Sequence, residues 1–293
     1  MSDQPPISRR QFTGASLAAG LAAAAGSGGA RGGSAAAHEA IVSEVEIKTP
    51  AGVCDASLAQ PGGQGQWPGV ILFADAFGLR PAMRDMAKRL AQNGYAVLVP
   101  NPYYRSAKAP GLPPGFSFSN PQHREQLAAL RALLTPEAVT ADALAYVAFL
   151  DTQASVKKSA KMGVVGYCMG GPMTLRAAAA LPNRVGAGAS FHGGGLVTDK
   201  PDSPHLLVPQ IRASYYFGVA ANDDANEPEA KTKLREAFDA AGLPAKIEVY
   251  AGCLHGWCVK DMPQSPDGKP IYNEAQAERA WNELIALYKQ SLV

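Results

Sequence analysis

An α/β fold is predicted, with a mostly parallel central sheet of about eight strands and helices on both faces. Three features of the 293-residue sequence predict it. Short apolar runs alternate with helix-length amphipathic segments, the pattern of a layered α/β protein. Residues 70–74 and 95–100 are almost continuously apolar, as strands buried on both faces of a parallel sheet are. Residues 162–165 lead into Gly166-Tyr167-Cys168-Met169-Gly170-Gly171 and then a helix-like segment from Pro172, a strand–turn–helix unit.

The chain opens on a segment of another kind. Ser8-Arg9-Arg10-Gln11-Phe12-Thr13 precedes a weakly apolar, Ala/Gly-rich run over residues 14–25, with Ala35-Ala36-Ala37 as a candidate cleavage site. This resembles a twin-arginine signal, which implies the twin-arginine export machinery as a partner and a periplasmic or secreted location. The run is too short and too weakly apolar for a helix that stays in the membrane. Loss of residues 1–37 removes three Arg and one Asp, leaving 24 basic and 24 acidic residues. Residues 38–293 then read as one domain, without internal repeats. A near-neutral chain with no basic run gives nucleic-acid binding no support.

Residues 41–48 alternate apolar and polar, and residues 53–59 follow across Pro50-Ala51-Gly52, which reads as an antiparallel hairpin. Residues 62–65 are a Gly-rich loop. After the strand at 70–74, residues 80–93 carry Met83, Met86, Ala87 and Leu90 at helical spacing, and Gly94 stops the helix. The strand at 95–100 completes a β–α–β unit. Residues 101–120 hold four prolines and read as a long irregular loop of the sort that caps sites. Helices are expected over 122–134 and 136–152, broken at Thr135-Pro136. Strands follow at 186–191, 213–218 and 247–250, with helices at 172–180, 228–241 and 273–290.

Gly166 and Gly170 flank a sharp turn that pushes Cys168 out at the strand end. A cysteine at a helix N-terminus feels the positive end of the helix dipole, which favours the thiolate. A thiol nucleophile needs a base and an orienter for that base. On this kind of turn the chain order is nucleophile, acid, His. His255, in the loop after the last strand, fits the order. His192 also follows a strand but precedes any acid. Asp223 and Asp224, after the strand at 213–218, are the acid candidates, with Asp223 favoured. The amides of Met169 and of Ala76, in the loop after the strand at 70–74, are the expected oxyanion donors. No His/Cys set has zinc spacing. Cys253 and Cys258 flank His255, paired or free.

Asp75-Ala76-Phe77-Gly78, Arg84-Asp85, Gly94-Tyr95 to Pro100, Gly166-Tyr167-Cys168-Met169-Gly170-Gly171 and His255-Gly256-Trp257 together resemble the dienelactone hydrolase family. The likeness runs from about residue 41 to residue 290, nearly the whole of the expected mature chain. It implies an α/β-hydrolase fold and a cofactor-free Cys-His-Asp triad that opens an enol-lactone. It puts Cys168 as nucleophile, His255 as base and Asp223 as orienter. Asp75 stands where the family has a glutamate that contacts the thiol. Arg124 resembles one of two arginines that hold the substrate carboxylate; where the other is expected stands Val259, beside Lys260. Arg105 is an alternative clamp, and Trp257 a further substrate contact. The implied substrate is a small ester or lactone. Amides are disfavoured because the thiolate leaves the tetrahedral intermediate more readily than an amine. A broad carboxylesterase and a non-catalytic exported binding protein are the alternatives.

Overall fold

The computed structural model describes residues 38–293; the expected export signal over residues 1–37 lies outside the described residues. The predicted hairpin forms as β1 (Ala40–Thr49) and β2 (Gly52–Pro61), paired antiparallel from Ala40↔Pro61 to Thr49↔Gly52. β2 pairs antiparallel with β4 (Ala96–Pro100), the start of the parallel part of the sheet. That part adds β3 (Gly69–Phe73), β5 (Met162–Tyr167), β6 (Val185–Phe191), β7 (Ser214–Ala220) and β8 (Ala245–Tyr250). The eight strands run in the order β1-β2-β4-β3-β5-β6-β7-β8. Every residue of β3, β4 and β5 is buried, as their near-continuous apolar runs require.

Alternate strand residues feed two cores. Val70 and Leu72 pack with Met83 and Leu90 of α1 (Pro81–Gln92) and with Leu284 and Tyr288 of α7 (Glu274–Ser291). Ile71 and Phe73 face the other way. They pack with residues of α2 (Pro121–Ala132), α3 (Pro136–Thr152), α4 (Gly170–Ala180) and α6 (Ala230–Ala240). The break at Thr135-Pro136 is a helix start: the Thr135 hydroxyl caps the Ala138 amide at 3.2 Å, and proline fills the first turn.

Three local features differ from expectation. α4 begins at Gly170 rather than Pro172, so the turn itself opens the helix. Residues expected as an acidic loop form a short helix, α5 (Ala221–Asn226). Its acids fall in the first turn, where the helix dipole favours negative charge. A 3₁₀ helix spans Pro204–Gln210, whose prolines hid it from helical periodicity.

β3 and β5 are neighbours, yet the chain runs out to β4 between them. Their C-terminal ends therefore flank a topological switch point, the crevice where open α/β sheets bind ligands. The proline-rich loop folds over it. Phe116 and Phe118 pack edge-on against Phe77, at 5.7 and 5.6 Å between centroids. The Tyr103 hydroxyl donates to the Ala76 carbonyl at 2.7 Å.

Candidate active site

Cys168 leaves β5 at φ +52°, a left-handed conformation that costs a non-glycine residue about 1–3 kcal/mol. The glycines around it make the turn possible. A Cβ on Gly166 would collide with the Gly170 carbonyl, and one on Gly170 with the Phe73 carbonyl at the end of β3. The Cys168 amide donates to the Phe191 carbonyl (3.1 Å), and the Gly171 amide donates back to Cys168 O (3.0 Å). These bonds hold the thiol half-exposed at the head of α4.

His255 lies in the loop after β8. Its backbone amide donates to Asn222 Oδ1 at 2.8 Å, which ties that loop to α5. Its Nδ1 lies 2.9 Å from Asp223 Oδ2. Asp224 turns away and pairs with Lys231 at 2.7 Å. Burial alone would lower the His255 pKa. The hydrogen bond to Asp223 and the adjoining Cys168 sulfur outweigh it and lift the pKa to about 10. Cys168, His255 and Asp223 thus form one cluster. His192 touches His255, but neither of its ring nitrogens has a partner among the described residues.

Ala76 and Met169 end up on the two sides of the switch point, both buried. Neither backbone amide donates to any group among the described residues. Asp75, 1% exposed, is fully engaged elsewhere. Arg80 grips it with two hydrogen bonds, 2.7 and 2.9 Å, and the Phe77 amide donates to it at 2.9 Å. Arg80 also grips Asp261 twice, both bonds at 2.8 Å. Burial pushes the Asp75 carboxyl above its ordinary pKa; Arg80 and the Phe77 amide pull it back only in part. The contact between Asp75 and the thiol that the resemblance implies is therefore not made. A bidentate partner five residues away takes the carboxylate, and nothing in the local pattern at Asp75 signalled Arg80.

The expected substrate contacts fare differently. Trp257 is fully buried, stacked on Tyr250 at 4.7 Å and edge-on to His192, so it is a core residue behind His255 and not a substrate contact. Val259 is buried in the same core. Arg105 is paired bidentately with Asp142 (2.8 and 2.9 Å) and lies over the Tyr104 ring, which gives it a structural partner. Arg124 is exposed and donates to the Phe118 carbonyl at 2.6 Å.

Two turns further along α2 stands Arg131, which no sequence motif marks. It lines a cavity of about 300 Å³ walled also by Met169, Met173, Arg176, Gly194 and Lys200. A larger cavity of about 620 Å³ lies between α1 and α7, and none of Cys168, His255 and Asp223 lines it. The smaller cavity is not lined by those three residues either, but Met169, the residue after Cys168, forms part of its wall. All four cysteines have free thiols, Cys253 and Cys258 included. Among the described residues no three His, Cys, Asp or Glu side chains converge to hold a metal.

Comparison with known proteins identifies the architecture. Residues 54–292 match the model of the dienelactone hydrolase family. A Synechocystis protein provisionally named carboxymethylenebutenolidase is 30% identical over 241 residues, 80% of this chain and 91% of the relative. A Methylorubrum extorquens protein with the same provisional name is 29% identical over 99% of this chain and 95% of its own. The crystal structure of a provisionally named dienelactone hydrolase from Klebsiella pneumoniae superposes with a TM-score of 0.70 at 25% identity. It covers 86% of this chain and 99% of its own. The chain has the α/β-hydrolase fold and belongs to the dienelactone hydrolase family, as a carboxylic ester hydrolase.

Proposed function

We propose that this hydrolase opens a small ester or lactone through a thioacyl intermediate on Cys168, with His255 as base and Asp223 as its orienter. The observation that carries the reading is the 2.9 Å contact between His255 Nδ1 and Asp223, with the Cys168 sulfur adjoining the same imidazole. His255 takes the thiol proton, and the sulfur adds to the substrate carbonyl. The developing oxyanion points at the unengaged amides of Ala76 and Met169, donors of a type typically worth about 10²–10³ in rate. Collapse breaks the acyl C–O bond, and the leaving oxygen takes the proton from His255. In a lactone that oxygen stays tethered to the acyl group. Water, deprotonated by His255, then adds to the thioester. The acid leaves and the thiol regains its proton.

Substrate charge is read by Arg131 in this proposal. Arg176 is engaged by Asp202 at 3.8 Å, whereas Arg131 takes part in none of the ion pairs among the described residues. Its guanidinium suits a carboxylate. A matched pair of aryl esters, neutral and carboxylate-bearing, tests this. Both should be hydrolysed, and iodoacetamide should stop both by labelling Cys168. Arg131→Ala should raise KM roughly tenfold for the charged ester alone, the worth of one charge-assisted hydrogen bond. Equal KM changes for the two esters would remove Arg131 from recognition. Absence of turnover of either would leave a non-catalytic binding protein as the better reading.

The twin-arginine pattern at Arg9 and Arg10 supports export of this enzyme to the periplasm. Cell fractionation should find a chain beginning near residue 38 in the periplasm, and Arg9→Lys with Arg10→Lys should retain it in the cytoplasm. Cytoplasmic wild-type protein with an intact N-terminus would refute export.

A further inference from the structure

His192 stands against the catalytic cluster with no role in the steps above. It follows β6, is 0% exposed, and both ring nitrogens lack partners among the described residues. Its φ is +40°; Cys168 is the only other non-glycine residue with positive φ among the described residues. The backbone is pinned there, because the His192 amide donates to Gly218 O of β7 at 2.8 Å. Its ring meets His255 nearly edge-on, with centroids 4.8 Å apart and planes at 66°. Trp257 meets it at 5.5 Å and Tyr167, the residue before Cys168, at 5.9 Å. The ring is thus wedged between the base and the strand that carries the nucleophile.

Two costs coincide at this residue. The backbone is in a sparsely populated region, and a polar ring is buried without hydrogen bonds. A hydrocarbon side chain of the same size would avoid the second cost. Strained backbone and unsatisfied buried polar groups of this kind call for an explanation in function.

We propose that His192 is a positioning residue for His255: a neutral imidazole that fixes the plane of the base and supports its protonated form. The inference rests on the Cys168–His255 reading above. When His255 takes the thiol proton, it becomes a cation in a confined space. A neutral aromatic ring with a nitrogen lone pair, held against it, stabilises that charge, whereas a second cation would oppose it. Burial keeps His192 uncharged, and the charge on His255 presses the same way. The other titratable ring packed on His192 is Tyr167, whose buried phenol stays protonated. Asp223 engages Nδ1 of His255, and no hydrogen bond joins His192 to the base, so the contribution of His192 is the polarity of its neutral ring packed against it.

Two variants separate support from mere packing. His192→Phe keeps an aromatic ring and removes the nitrogens; His192→Leu removes the ring as well. The readouts are kcat and KM on an aryl ester, and the pH dependence of Cys168 alkylation by iodoacetamide. Alkylation reports the thiolate–imidazolium pair without turnover. Loss of support for the imidazolium should move the alkylation midpoint to higher pH in both variants. It should also lower kcat about tenfold or more with KM nearly unchanged, as misplacement of a catalytic group does. A His192→Phe protein with wild-type kcat and alkylation profile overturns the proposal, whether or not His192→Leu folds. Wild-type protein that neither turns over ester nor alkylates at Cys168 overturns the catalytic reading and the proposal together. The two failures are therefore told apart by the wild type alone.

Discussion

Replacing Cys168 by alanine should lower kcat/KM for an aryl ester by at least about a thousandfold, the scale seen when a triad nucleophile is removed. The substitution deletes one sulfur from a half-exposed site and leaves the backbone requirement unchanged, since alanine meets the same +52° φ. Thermal unfolding should therefore stay close to wild type while turnover is lost. Cys168→Gly is the useful companion. It loses the same activity but relieves the left-handed strain, so it should unfold at an equal or higher temperature despite glycine's greater unfolded-state freedom. Activity of Cys168→Ala within tenfold of wild type would remove the thioacyl mechanism.

Replacing Arg80 by methionine should destabilise the protein by about 3–5 kcal/mol, the usual penalty for leaving one partner of a buried pair alone. Asp75 is 1% exposed and would keep only the Phe77 amide as donor. The pH dependence has a definite sign. Burial already holds the Asp75 pKa above its unfolded value, and loss of Arg80 raises it further. A carboxyl with a raised folded pKa favours folding when protonated. The deficit of Arg80→Met should therefore be larger at neutral pH and shrink as pH falls toward the unfolded value, about 4. Urea unfolding at two pH values reads this directly. Adding Asp75→Asn to Arg80→Met should recover much of the loss, because no charge is then stranded. A single-variant loss below 1 kcal/mol at neutral pH would show the pair to be energetically idle.

What the sequence revealed was what short-range pattern encodes. The hairpin across Pro50-Ala51-Gly52, the near-continuous apolar strands and the glycine-flanked turn at Cys168 depend on neighbours within a few residues, so they could be read directly. The order of Cys168, Asp223 and His255 was legible because each stands just past a strand end. What escaped depends on which distant segments meet. Arg80 and Asp261 are 181 positions apart, and no local signal pairs them. Trp257 and Val259 lie in a loop that the sequence alone leaves facing either way; the structure turns both into the core under α7. Arg124 and Arg131 share one helix face, and only the cavity beside Met169 distinguishes them. Asn222-Asp223-Asp224 suits a turn and a first helical turn equally, so local pattern does not distinguish α5 from a loop.

The double grip of Arg80 on Asp75 and Asp261 also sets an order of events during synthesis. A chain still emerging from the ribosome has made Cys168 long before it has made His255 or the Asp261 that completes the clamp around the loop of Ala76. In the proposed mechanism, Cys168 would then have neither base nor finished oxyanion donors until the last fifth of the polypeptide has docked. The proposed mechanism thus requires the whole chain, and a chain stopped before His255 would lack the base.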